Sequence, residues 1–147
     1  LIKTIIVGTD GSDTAAQAVV QAGDLADKLG AALVIVSAFE PVAEARLKDE
    51  RQEAPGDVEW AINEREDVDD MLSQISAPLK ERGIEVRFAA RKGNPADAIL
   101  DVAEEEHADL IVVGNKGMAG ARRFLLGSVP NKISHHAPCS VLIVRTT

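Results

Sequence analysis

The chain is poor in the residues that anchor several common chemistries. Among 147 residues there are one cysteine, one tryptophan, three phenylalanines and no tyrosine. A lone Cys139 excludes an internal disulfide and any multi-cysteine zinc site, and a cytoplasmic protein is the expectation. Phe39, Trp60, Phe88 and Phe124 are too few for a platform on which bases stack. The net charge of −8 disfavours the phosphate backbone of nucleic acids as a partner. No apolar run approaches the roughly 18 residues of a spanning helix, so no membrane partner is expected. No basic-then-apolar leader opens the chain, so no secretory signal is expected, and the start at Leu1 rather than Met points to trimming or renumbering.

What is present is the balance of an ordinary globular protein, 46% hydrophobic and 27% charged. The length fits one domain, residues 1–147, with one substantial core. The charge is unevenly spread. Residues 1–109 hold 11 basic and all 24 acidic side chains, a balance of −13. Residues 110–147 hold Lys116, Arg122, Arg123, Lys132 and Arg145 and no acid, a balance of +5. Either a local anion site or a solvated face with its acids opposite in space accounts for this.

Ile5-Ile6-Val7 reads as a buried strand that ends at the Gly8–Gly11 turn. Ser12 or Asp13 can cap the helix that follows, and Gly30 stops it. Ala32–Phe39 is a second strand, apolar almost throughout, as in a sheet covered on both faces. Glu40–Gly56, with Pro41 and Pro55, reads as a long loop. A helical pattern spans about Asp57 to Arg82, with a stripe of Val68, Met71, Leu72, Ile75 and Leu79. Pro78 is expected to bend or break it. Glu85–Ala90 is the third strand. Asn94-Pro95 opens the next helix, and Leu110–Val113 is the fourth strand. A glycine-marked loop, a short helix from about Val129 to His136 and a fifth strand at Ser140–Val144 complete the chain. This alternation predicts an α/β sandwich of three layers around a parallel sheet. The strand order does not follow from the pattern.

Parallel sheets bind ligands beyond the carboxyl ends of their strands, where the strand order reverses. Two turns lie at such ends. The first is Gly8-Thr9-Asp10-Gly11-Ser12. The second is Gly114-Asn115-Lys116-Gly117, followed after nine residues by Gly127-Ser128. Glycines let backbone amides approach an anion, and a helix start capped by Ser128 would favour phosphate. Neither the P-loop nor the usual dinucleotide fingerprint is present. His135, His136 and Cys139 lack a fourth ligand and are read as structural. Asp10 as a phospho-acceptor is set aside, because the third strand ends in Ala89-Ala90-Arg91 rather than in acids. The run Glu104–Glu106 is expected to be a solvated helix end.

The Asp10-Gly11-Ser12 turn, the spaced glycines from Gly114 to Ser128 and the closing Val-Leu-Ile-Val strand together resemble the universal stress protein family over essentially the whole chain. The resemblance implies a five-stranded parallel sheet, order 3-2-1-4-5, flanked by four helices. It also implies an adenine-nucleotide site for ATP. Gly8 and Thr9 would line base and sugar, beside Gly11. Asp10 would meet the ribose or a magnesium-bound water. Ala38, Val113 and Gly93 would border the adenine. Gly114, Asn115 and Gly117 would wrap the ribose and first phosphate, and Gly127, Ser128 and Val129 the outer phosphates. Pro130 has no N–H, which removes one phosphate donor, and a cyclic phosphate would suffer less from that. Cyclic AMP at the same site, as a sink or sensor, is therefore the alternative. No base is aimed at the phosphates, so at most slow ATP hydrolysis is expected. The fifth strand would be an edge, and a homodimer joined along residues 141–144 is expected.

Overall fold

The computed structural model describes residues 1–39, 56–115 and 127–146, with side chains in the second helix described from residue 65. Of the loop expected at 40–56, residues 40–55 lie outside the described residues, as does the segment 116–126 with Lys116, Gly117, Arg122 and Arg123, while Gly56 is the first residue of the second helix.

The elements alternate as the pattern predicts: β1 (Thr4–Gly8), α1 (Asp13–Leu29), β2 (Ala32–Phe39), α2 (Gly56–Glu81), β3 (Val86–Lys92), α3 (Pro95–Glu105), β4 (Leu110–Gly114), α4 (Ser128–His136) and β5 (Ser140–Val144). Local chemistry sets several of the ends. Ser12 caps α1 by accepting the Ala15 amide, and Gly30 closes it in the left-handed conformation, φ 65°. The Asn94 side chain accepts the amides of Ala96 and Asp97, with Pro95 behind it at the first helical position. α2 runs through Pro78 to Glu81, so the break expected there is absent. Its stripe is the reason: Leu72 and Leu79 are buried against the sheet on either side of the proline's turn. That burial outweighs one lost backbone bond.

The sheet is parallel throughout, in the order β3-β2-β1-β4-β5. Strand alternation divides the core in two. Ile5, Val7, Leu33, Ile35, Leu110 and Val112 pack under α1 and α2. Ile6, Val34, Val36, Ile111 and Val113 pack under α3 and α4. These are the three layers, and the central strands are apolar on both faces because both are covered. The acidic run at the end of α3 is not merely solvated. Glu105 holds Arg91 of β3 through two bonds of 2.7 and 2.9 Å, and Glu106 holds Arg87. Being half-exposed, these pairs fix geometry more than they add stability. Lys132 of the basic tail likewise meets Asp97 at 2.7 Å. Part of the charge asymmetry is thus answered by acids across a helix contact.

At the amino end of the sheet, Asp109 staples β1 to β4. Its carboxylate accepts the amides of Lys3 at 2.8 Å and Thr4 at 3.1 Å, and its own amide donates to the Thr4 carbonyl. Those amides hold the Asp109 carboxyl below its ordinary range, against a smaller opposing effect of desolvation. A depressed carboxyl stabilises the fold above its ordinary pKa, and that contribution fades as the pH falls through the folded value. Asp109→Asn is therefore expected to lower the urea midpoint at neutral pH and to converge on the wild type well below pH ~4. A gap between the two that persists at low pH would contradict this.

Candidate functional site

Because β1 and β4 are neighbours, the two glycine-marked turns leave the sheet side by side at its carboxyl end. The register pairs Val7 with Val112 and Gly8 with Val36, so Gly8 lies between β2 and the end of β4. Alternation turns Gly8 toward the α3/α4 face, the face that also carries Ala38, Val113 and Val129. Gly8 has no side chain to fill that position. Val36, on β2, and by the same register Val113, on β4, stand on either side of it, and Ala38 lies two residues further along β2 on the same face. The structure thus brings together the residues expected to border a base. Gly93 stands at the outer end of this row, where its amide donates to the Phe39 carbonyl at 2.9 Å and its φ is 118°.

Asp10 lies above this slot and is exposed. Its Oδ1 accepts the Ser12 amide at 2.9 Å, a local turn that holds the carboxylate through one of its two oxygens. Thr9 is buried, and its side chain faces the other way. It lines an apolar cavity of about 320 Å³ between α1 and α2, with Gly11, Ala16, Val20, Ile75 and Pro78. Of the expected contacts, Thr9 therefore offers this face its backbone only. Gly11 is required by its own geometry. Its φ is 83°, and a Cβ there would overlap the Met71 sulfur.

The end of the crevice expected to hold phosphate is built around Asn115. Its amide donates to the Val144 carbonyl at 2.8 Å, and its carbonyl accepts the Gly127 amide at 3.0 Å. Its Oδ1 accepts the Thr146 amide at 2.9 Å and the Thr146 hydroxyl at 3.0 Å. Gly114 lies beside the same threonine. Asn115 thereby ties the ends of β4 and β5 to the start of α4. The cap of α4 is Gly127, extended at φ −64° and ψ 165°, and not Ser128 as the sequence suggests. The Gly127 carbonyl takes the first helical bond, from Asn131 at 3.0 Å, so Ser128 is already inside the helix. A glycine cap brings no side chain to the helix start. The amides of Ser128 and Val129 thus remain directed out of the helix, and Pro130 adds none. Two amides and the positive end of a helix suit one phosphate group.

Thr146 is the site residue that the sequence reading missed. No local spacing could reveal it, since it reaches Asn115 from 31 positions away. Among the described residues no group of three metal-ligating side chains is found, and no helix is long and apolar enough to cross a membrane.

Comparison with known proteins agrees with this fold. The family model described as "Universal stress protein family" matches residues 1–145. Universal stress protein Rv1636 of Mycobacterium tuberculosis is 40% identical over 157 residues, covering 99% of this chain and 97% of its own. A universal stress protein solved in complex with cyclic AMP is 32% identical, with a TM-score of 0.71 and coverage of 99% and 98%. UspA from Lactobacillus plantarum superposes with a TM-score of 0.79 at 25% identity, covering 98% of each chain.

The turn after β1 yields a direct test. Gly11→Ala is expected to cost about 1–2 kcal/mol for the left-handed backbone alone, and more while Met71 occupies the space. A urea-denaturation cycle with Met71→Ala should show a coupling of roughly 0.5–3 kcal/mol between the two positions. Strict additivity would place Met71 elsewhere.

Proposed function

The chain belongs to the universal stress protein family, and from that we propose that it is a cytoplasmic binding module for an adenine nucleotide, with cyclic AMP the better match to its site. The adenine lies over Gly8 between Ala38 and Val113, with Gly93 at its border. The ribose meets the carboxylate of Asp10. The phosphate is taken by the amides of Ser128 and Val129 and by the dipole of α4.

The observation that carries the preference is the number of donors at the start of α4. Gly127 gives its amide to Asn115, and Pro130 has none. That leaves one phosphate well served and a chain of three poorly served. The similar protein solved with cyclic AMP supports the same choice. ATP is the second reading, favoured by Lys116, Arg122 and Arg123 in the sequence between Asn115 and Gly127. Its magnesium would arrive on the triphosphate and meet Asp10 through water. The single cysteine suits a reducing compartment.

The proposed assembly is a homodimer joined along β5. That strand is an edge, and Val141, Leu142 and Ile143 on it are only half-buried. An apolar edge of this kind calls for a partner strand.

Titration calorimetry tests the ligand. Cyclic AMP should bind without magnesium, and Asp10→Ala should weaken it about tenfold, the equivalent of 1.4 kcal/mol. Pro130→Ala adds an amide at the helix start and is expected to raise ATP affinity relative to cyclic AMP. Failure of the wild type to bind any adenine nucleotide would overturn the reading. For the dimer, Val141→Lys should convert the sedimentation profile at micromolar concentration from dimer to monomer.

A further inference from the structure

The carboxamide of Asn115 is locked in one of its two orientations. The Thr146 backbone N–H can only donate, so the Asn115 atom 2.9 Å from it must be the carbonyl oxygen. The Thr146 hydroxyl, at 3.0 Å, donates to that same oxygen. Both acceptor sites of Oδ1 are then filled. The backbone N–H and C=O of Asn115 are filled as well, by Val144 and Gly127. The single polar group of this half-buried residue left without a protein partner, among the described residues, is its Nδ2 amide. Nδ2 sits on the side of the carboxamide away from Thr146. Asn115 is bonded directly to Gly127, the cap of α4, and so stands at the α4 end of the slot rather than at Asp10.

We propose that Thr146 is a positioning residue: by holding Oδ1, it aims the Nδ2 amide of Asn115 at the phosphate nearest the sugar. This rests on the adenine-nucleotide reading above and adds to it a third donor, from a side chain, beside the amides of Ser128 and Val129. With the hydroxyl gone, one of the two bonds that fix the carboxamide is lost. The Thr146 N–H still holds the oxygen, so the carboxamide keeps its orientation but swings more widely, and the Nδ2 donor is less well aligned with the phosphate. The device makes Thr146 matter for ligands with a phosphate and not for the nucleoside.

The experiment is calorimetry of wild type, Thr146→Val, Thr146→Ser and Asn115→Asp with cyclic AMP, AMP and adenosine, with thermal midpoints taken alongside. Thr146→Val, which keeps the shape and removes the hydroxyl, should weaken cyclic AMP and AMP by about three- to tenfold and leave adenosine unchanged. Thr146→Ser keeps the donor and should bind as the wild type does. Asn115→Asp replaces the aimed donor with an acceptor, and should lose the phosphate ligands while retaining adenosine. Wild-type binding that Thr146→Val leaves intact, or that falls equally for adenosine and cyclic AMP, would overturn the positioning role alone. A wild type that binds none of the three ligands would overturn the nucleotide reading and this inference with it.

Discussion

The pairing of β1 with β4 decides where everything else in this molecule goes. β2 leaves β1 on one side and β4 joins it on the other, so the direction of winding reverses at β1. The helices after β1 and β4 consequently pack on opposite faces, and the turns that lead into them separate at the carboxyl end of the sheet. A crevice at this position is a product of topology. Gly8 deepens it by supplying no side chain, while Ile6 below it and Val36 level with it on β2 fill the core.

The chemistry of the crevice is almost entirely that of the main chain. Asp10 contributes a carboxylate held by the Ser12 amide, and Asn115 a carboxamide held by Thr146. The rest is helix amides and small apolar walls. Such a surface suits a ligand selected by shape and by a single anionic group.

What was legible in the sequence was what is local. Ser12, Gly30 and Asn94-Pro95 act on residues within a turn of themselves, and their roles could be read from spacing. The apolar run of β2 announced a strand covered on both faces. Non-local matters were not legible in the pattern. The strand order came with the family resemblance, since pairing between β1 and β4 links residues a hundred positions apart. The bonds from Glu105 and Glu106 to the arginines of β3 made a supposed solvated end into a clasp. Pro78 was outweighed by the burial of Leu72 and Leu79. The cap of α4 moved by one residue because Gly127 is drawn into the bond with Asn115, a tie that the serine beside it obscures.

The staple made by Asp109 stands at the opposite end of the same two strands from the crevice. The fold is fastened at its floor and carries its candidate site at its rim, so a change at the rim leaves the fastening untouched. Copies of such a gene can diverge in what they recognise, or cease to recognise anything, without first having to relearn how to fold.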